Sequence, residues 1–300
     1  MSKINTVAII GGSGNVGAHV TKELVAAGFS VTVLTRQPST VAFPPGAIVR
    51  RIDFDSPERL TKVFSGQDAV VSLIAPGGIG EQKKVIDAAI DAGVKRFLPS
   101  EFGVNTRTAT GAISKALAAK IGVTEYLITK SKENPSFTWT GLSTGVFFDW
   151  VITKEIAGIS IRNKSATIFD SGNELFQTTQ LSTVAKAVSV ILRHPGKTAN
   201  TYLSVASFNV SQNGLVSLVG DLLGTSLALT HVKSHQVQEE GEKRLATGDP
   251  SCFIKLLQAY NFADGAGHAL KLEESANHLL ELPEEDIRAV LKDLLSRFQE

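Results

Sequence analysis

A short apolar run, Thr6 to Ile10, leads straight into Gly11-Gly12-Ser13-Gly14-Asn15-Val16-Gly17 and then into a helix-forming stretch that reaches Ala27. Glycines at three-residue intervals between a strand and a helix constrain the chain more than any other feature, because each removes a side chain from a different tight place. The first permits the sharp turn and the second lets the backbone approach an anion. The third lets helix pack closely on strand, while the first amides of the helix face the bound charge. Gly12 adds an overlapping Gly-x-Gly-x-x-Gly register, so which glycine meets which phosphate stays open at this level. The pattern predicts a dinucleotide-binding unit with Gly11, Gly12, Ser13, Gly14, Asn15, Val16 and Gly17 around a pyrophosphate.

The rest of the first half keeps the same rhythm. Strands are expected at Ser30 to Leu34, Ala47 to Ile52, Ala69 to Ile74, Arg96 to Leu98 and Thr138 to Leu142, with helices at Asn15 to Ala27, Pro57 to Phe64, Gly80 to Ala92 and Ile113 to Lys132. These strands read as continuous apolar runs, as strands covered on both faces do, and imply an α/β fold with a Rossmann-like doubly wound parallel sheet. Beyond residue 150 the rhythm loosens. Turn signals at Asn163-Lys164 and Asp170-Ser171-Gly172-Asn173 bracket a short strand, Ala166 to Phe169. A helix capped by Ser182 should run to Leu192, and Thr201 to Val205 has the character of a strand that rejoins the main sheet. Helices are expected at Gln212 to Leu223, Gln236 to Leu245, Ser251 to Tyr260 and Pro283 to Phe298. Residues 1–150, with 178–208 returning to them, therefore form the nucleotide-binding domain, and 151–177 with 209–300 form a smaller, mostly helical substrate-binding lobe.

Composition removes several function classes. Lys and Arg number 30 against 29 Asp and Glu, so the chain has no electrostatic footprint for nucleic acid or an anionic membrane. The longest apolar runs are strand-sized, and Met1-Ser2-Lys3-Ile4-Asn5 lacks the hydrophobic region of a signal peptide, so a cytoplasmic location is expected. One cysteine, Cys252, cannot form an internal disulfide and suits a reducing compartment. The six histidines show no paired metal spacing; His231 and His235 are the one i, i+4 pair, without an accompanying carboxylate motif, and no metal is expected.

Cofactor choice is read at the end of the second strand, where an acidic residue would bind a ribose 2′-hydroxyl. Val33-Leu34-Thr35-Arg36 supplies a guanidinium instead, suited to a 2′-phosphate and hence to NADP(H). Asp53 and Phe54, after the third strand, suit an adenine amine and ring face, and serve equally as a strand-end carboxylate and a core aromatic. Ala75-Pro76-Gly77-Gly78 lies at the carboxyl edge of the fourth strand, where such folds bind ligands, and is expected to skirt the cofactor ribose.

At Arg96-Phe97-Leu98-Pro99-Ser100-Glu101-Phe102-Gly103 the chain resembles the isoflavone reductase and phenylcoumaran benzylic ether reductase family, within the NmrA-like atypical short-chain dehydrogenases. The glycine turn, Asp53-Phe54-Asp55, Ser182 to Val188 and Asn200 to Val205 extend the resemblance over most of the chain, thinning after about residue 225. It implies that Ser100, Glu101 and Phe102 lie along the cofactor, and that Lys120 contacts the nicotinamide ribose and serves as general acid or base. Desolvation beside a cationic ring would push such a lysine toward neutrality, as acid–base work requires. Tyr126 and Lys130 have the Tyr-x-x-x-Lys spacing of ordinary short-chain dehydrogenases, but Lys130 stands near the far end of its helix, and Ala116 occupies the place of a tyrosine four before Lys120. Lys115 is a weaker alternative on the same stretch.

The resemblance also places Ser143 to Trp150 beside the nicotinamide and the substrate mouth, with Gly145 and Phe147 as cofactor contacts. Thr144 and Gly145 stand where plant members carry an Asn and another side chain. Phe147, Phe148 and Trp150 are candidates for an aromatic wall and, equally, for core packing. The implied activity is hydride transfer from NADPH to an aromatic or conjugated small molecule by a monomer or homodimer. The alternatives are an NADP(H)-binding redox-sensing regulator without turnover and a cofactor-assisted isomerase.

Overall fold

Along the first strand, β1 (Thr6–Ile10), Val7 and Ile9 face one helical layer while Ala8 and Ile10 face the other, and all four are buried. That two-sided burial organises the protein. The structure, a computed structural model, describes residues 3–36 and 42–298, so Met1 and Ser2 of the N-terminal reading lie outside the described residues. After β1 come α1 (Asn15–Ala26), β2 (Ser30–Thr35), β3 (Ile48–Arg51), α2 (Pro57–Phe64), β4 (Ala69–Ser72), a 3-10 turn (Pro76–Glu81) and α3 (Gln82–Asp91). Next are β5 (Arg96–Leu98), α4 (Gly111–Ala116), α5 (Ala118–Glu133) and β6 (Thr138–Ser143). The second half contains β7 (Val146–Phe147), α6 (Phe148–Thr153), β8 (Ile159–Ser160), β9 (Ser165–Phe169), β10 (Phe176–Thr179), α7 (Leu181–Arg193) and β11 (Thr201–Ser204). It ends with β12 (Phe208–Val210), α8 (Gln212–Leu223), β13 (Ala228–Val232), α9 (Ser234–Ala246), α10 (Cys252–Phe262) and α11 (Ile287–Ser296).

Seven strands form one sheet in the order β11-β6-β5-β4-β1-β2-β3, and every neighbouring pair is parallel. This is a Rossmann-like doubly wound sheet whose order reverses at β1, so a crevice opens at the carboxyl ends of β1 and β4. Buried side chains of α1 and α7 pack on one face, those of α2, α3 and α5 on the other. Two three-stranded sheets, β12-β10-β7 and β13-β9-β8, belong to the second half of the chain and share a separate apolar core with α6, α8 and α11.

Several expectations need correction. The helix expected over Ile113 to Lys132 is two helices, broken at Leu117, whose backbone leaves helical geometry at φ −95° and ψ 6°. Ser182 does not cap α7; Gln180 holds that position and the amide of Leu181 donates to Asp149 Oδ2 at 2.8 Å, a cap supplied by another helix. β4 stops at Ser72, and the helix expected from Gly80 is a 3-10 turn from Pro76 that becomes α-helical at Gln82. The last helix starts at Ile287 rather than Pro283, with the Asp286 side chain accepting from the Arg288 amide. The second half is not simply helical: β7, β8, β10, β12 and β13 are too short or too exposed to show alternation in the sequence.

One buried cation on β5 ties β6 to the link between α7 and β11. Arg96 is 0% exposed, and its guanidinium donates to the hydroxyls of Thr138 (2.9 Å), Thr140 (3.1 Å) and Thr198 (3.0 Å) and to the Pro195 carbonyl (2.5 Å). Burial pulls its pKa down to about 10, still well above neutrality, so the charge is kept. These partners come from β6 and from the link between α7 and β11, so Arg96 fastens the returning strand to the sheet. Replacing it with methionine is expected to lower stability by about 2–4 kcal/mol, because buried hydroxyls and a carbonyl lose their donor. Urea unfolding followed by circular dichroism would measure this, and an unchanged midpoint would refute it.

Candidate active site

The glycine loop is shaped by contacts that permit no side chain. Gly11 has φ +78°, and a Cβ there would overlap the backbone carbonyl of Leu73, the first residue beyond β4. At Gly17 a Cβ would overlap the Gly11 carbonyl oxygen and lie 2.8 Å from Gly12 Cα. Gly14 differs: the nearest atom to a Cβ is 3.3 Å away, and its backbone is extended at φ −71°. The interior of the fold thus accounts for Gly11 and Gly17 but not for Gly14, which is exposed and caps α1 without any side-chain hydrogen bond. The first amides of α1 therefore open outward beside exposed Ser13 and Asn15, while Val16 turns inward against the core. A bare helix N-terminus with no acidic residue in its first turn fits a phosphate group.

A groove of about 1030 Å³ runs along β2, β3 and α2, lined by Arg36, Arg51, Asp53 and Phe54 among others. Arg36 is exposed and makes no hydrogen bond or ion pair among the described residues, so its guanidinium is available to a ligand. Asp53 Oδ1 accepts from the Asp55 amide at 3.1 Å and shapes the turn. Phe54 rests one side on the sheet core and lines the groove with the other. Both readings of Asp53 and Phe54 thus have a physical basis.

A second cluster forms where β5 ends. Ser100 closes the carboxyl edge: its amide donates to the buried Gln82 Oε1 and its hydroxyl to the Ile74 carbonyl, each at 2.9 Å. Ala75 and Pro76 follow Ile74 and start the 3-10 turn. Phe102 points into the core beneath α7. Between them Glu101, 1% exposed, accepts hydrogen bonds from the Thr106 hydroxyl and, at 2.7 Å, from the Tyr202 hydroxyl on β11. Burial raises the carboxyl pKa of Glu101, while Lys120 and the two hydroxyl donors oppose that rise. The phenol of Tyr202 is pushed well above its ordinary value by burial and by the neighbouring carboxylate, so it stays protonated and donates.

Lys120 lies in the first turn of α5, directly after the break at Leu117 that re-aims the helix. Its side chain is half-buried, and among the described residues it makes no hydrogen bond or ion pair. Desolvation lowers its pKa; the field of Glu101 pulls the other way without a direct contact. The rival lysines lie elsewhere. Tyr126 donates to Asp87 on α3 at 2.5 Å, and Lys130 is paired with Asp87 (3.9 Å) and Glu133 (3.4 Å), so this dyad is spent at the protein surface. Lys115 is exposed at the end of α4.

Gly145 has φ +61°, and a Cβ would overlap the Gln177 carbonyl, so glycine is required there by the packing of β10. It also borders a small cleft. Phe147 is 8% exposed and meets Trp150 edge to face at 4.9 Å, packed beneath the main sheet. Phe148 lies in the core of the second half against Phe208, which removes it from any aromatic wall. Among the described residues no cluster of ligands fits a metal and no helix is long and apolar enough to cross a membrane.

Sequence reasoning did not select Tyr202 or Thr106. A signal for Tyr202 was present: Gly141 sits inside the buried strand β6, directly opposite Tyr202, and a Cβ there would be 2.5 Å from the tyrosine ring. A glycine inside an apolar strand marks such a close approach.

The model of the NmrA-like family matches residues 3–247. The chain belongs to that family. An Aspergillus flavus member named oxidoreductase aprR is 33% identical over 294 residues, covering 96% of this chain and 98% of its own. The Arabidopsis thaliana isoflavone reductase homolog P3 is 29% identical over 247 residues, covering 77% and 79%. Among solved structures, AtPrR2 with NADP+ and (+)pinoresinol superposes with a TM-score of 0.80 at 22% identity, over 98% of this NmrA-like chain and 99% of that one. At that identity the likeness establishes the shared fold.

Proposed function

We propose that this NmrA-like protein is an NADP(H)-dependent reductase that delivers hydride to an electrophilic carbon of an aromatic or conjugated small molecule, with Lys120 as the general acid or base. The observation that carries the reading is a half-buried ammonium that, among the described residues, has no hydrogen-bond or ion-pair partner and whose pKa is lowered by desolvation. A surface lysine has no such environment, and perturbed amines of this kind concentrate where protons are moved. The name oxidoreductase carried by the Aspergillus relative, and the NADP+ in the AtPrR2 complex, support the redox class and the cofactor.

Each region takes a defined part. The α1 amides and Gly14 receive the pyrophosphate, Arg36 receives the 2′-phosphate, and Asp53 with Phe54 borders the adenine. Ala75 and Pro76 skirt the ribose, and Ser100, Glu101 and Phe102 hold the edge of the sheet against the far end of the cofactor, near Gly145 and Phe147. When bound, NADPH supplies the hydride. Lys120 Nζ transfers a proton to the oxygen conjugated with the carbon being reduced, and the Glu101 carboxylate, fixed by Tyr202 and Thr106, keeps that amine charged until transfer. The structure offers no observation in favour of a sensor without turnover.

The direct test is NADPH oxidation, followed at 340 nm, with phenolic, enone and quinone compounds. The Arg36→Ala variant is expected to lose roughly tenfold or more in affinity for NADPH and little for NADH, because only the former carries the phosphate that a guanidinium grips. Equal losses for both nucleotides would remove Arg36 from cofactor selection. Tight NADPH binding without consumption of any compound would overturn the reductase reading.

A further inference from the structure

The groove along β2, β3 and α2 is longer than a bound adenosine end requires. Arg36, Asp53 and Phe54 occupy its carboxyl end, and it continues toward the amino ends of the strands, past Thr32 and Ile48 to Gln67. The sheet register explains the opening. Thr32 lies beside Ile48 and Leu34 beside Arg50, and Leu34 packs with Leu60 and Phe64 of α2, so these four strand residues share the face that α2 covers. The helix does not close over the edge strand: β3 is the last strand of the sheet, and Ile48 is left 43% exposed.

Charge is divided along this groove. Its acidic residues, Asp53, Asp55 and Glu81, stand at the carboxyl end, and Glu81 is paired with Lys84 at 2.6 Å. Three cations border its middle: Arg50 on β3 and, three positions apart on one side of α2, Arg59 and Lys62. All three are exposed, and among the described residues none makes a hydrogen bond or ion pair. Like charges brought together across a groove repel one another, and a bound anion removes that repulsion. Polar groups without partners lie beyond these cations. Thr32 is 7% exposed, between the buried Val31 and Val33, and among the described residues its hydroxyl makes no hydrogen bond. The buried side-chain oxygen of Gln67, in the loop after α2, likewise has no donor. An unpaired buried polar atom costs about 1–3 kcal/mol, and valine would fill the strand position without that cost. Thr32 stands four residues before Arg36 on an extended strand, about 13 Å away, so a phosphate gripped at the strand end leaves the Thr32 hydroxyl unpaired.

We propose that the middle and amino-edge part of this groove binds a small hydroxylated phosphate ester, separately from the dinucleotide: Arg50, Arg59 and Lys62 hold the phosphate, and Thr32 and Gln67 hydrogen-bond the hydroxyl groups of the ligand. Guanidinium groups match phosphate oxygens bidentately, and an ammonium adds a point charge. The Gln67 oxygen only accepts, so its partner is a donor, and an alcohol supplies one that a bare anion lacks. Inorganic phosphate is therefore a partial ligand, and a neutral polyol lacks the charge. The site does not depend on the reductase reading, because none of these five residues belongs to the cofactor or proton-transfer machinery.

The test titrates the full chain by calorimetry with three probes, α-glycerophosphate, inorganic phosphate and glycerol, each with and without saturating NADP+. The ester is expected to bind about fivefold or more tightly than inorganic phosphate, and glycerol not measurably. NADP+ should change the affinity for the ester by no more than about twofold, as for sites without coupling. Lys62→Gln should weaken the ester and inorganic phosphate alike, by about tenfold, whereas Thr32→Val, a side chain that suits a strand, should weaken only the ester, by about fivefold. Absence of ester binding, displacement of the ester by NADP+, equal affinity for ester and inorganic phosphate, or an unchanged ester affinity in either variant would each overturn the proposal. NADP+ affinity, expected to be unchanged in both variants, separates a lost contact from a lost fold. If wild type binds the ester and no nucleotide, the reductase reading falls and this site stands; if it binds the nucleotide and no ester, the reverse holds.

Discussion

Lys120→Ala is expected to lower kcat by roughly 10²- to 10⁴-fold, the range that removal of a general acid costs, while the dissociation constant for NADP+ changes only a few-fold. The separation follows from where the residue sits. Phosphate and adenosine recognition belong to the β1–α1 loop and the ends of β2 and β3, whereas Lys120 stands on α5 near the end of β5. Single-turnover kinetics with NADPH would isolate the chemical step, and a rate equal to wild type would remove Lys120 from the reaction. The same lysine gives a prediction about pH. For reduction Lys120 must be protonated, so activity falls as pH rises through its pKa, which burial lowers and the Glu101 charge raises. Glu101→Gln removes the anion, lets the lysine pKa drop further, and so moves the basic limb of the kcat profile to lower pH. A limb that stays in place, or moves to higher pH, would separate the two residues. A purely structural role for Glu101 would instead lower thermal stability without moving the limb.

These expectations depend on features that differ in how openly the sequence displays them. The strands β1 and β4 and helix α2 were legible because burial on both faces leaves mostly apolar residues in the strands, and because Ser56 and Pro57 mark a helix start. Lys120 was legible only through the resemblance carried by the Ser100 to Gly103 segment; as one lysine among several on a helical stretch it has no local signature. The break at Leu117 was hidden, since no glycine or proline marks it, and it is tertiary contact of Ile113 and Leu117 with Leu256 that fixes it. Likewise the cap of α7 comes from Asp149, 32 residues upstream of Leu181, a partner that no local pattern announces. Tyr202 lies still farther off, 101 residues from the carboxylate it holds. Residues that act by orienting a side chain from another strand become visible only when the sheet order is known.

Two glycines of the first loop, three positions apart, should both lose nucleotide affinity on gaining a methyl group, but only one of them should lose stability with it. In Gly17→Ala the new carbon would collide with the Gly11 carbonyl and crowd Gly12 Cα, and both are backbone atoms that cannot rotate away. Either α1 retreats from β1 or the turn opens, so loss of stability and a fall of roughly 100-fold or more in NADP+ affinity are expected together, since small displacements at such a site cost that much. In Gly14→Ala the methyl would lie 3.3 Å from the Gly11 carbonyl oxygen, a tight contact that a shift of a few tenths of an ångström relieves, and the extended backbone suits alanine, so the melting temperature should fall by only a few °C, far less than in Gly17→Ala. The methyl would nevertheless stand at the exposed mouth of the helix, where the pyrophosphate must come close to bare amides, and nucleotide affinity should fall by about tenfold or more. Calorimetric titration with NADP+ beside a thermal melt gives both quantities for each variant. If Gly14→Ala binds the nucleotide as wild type does, no anion is cradled at that N-terminus, and the open geometry of Gly14 has some other cause.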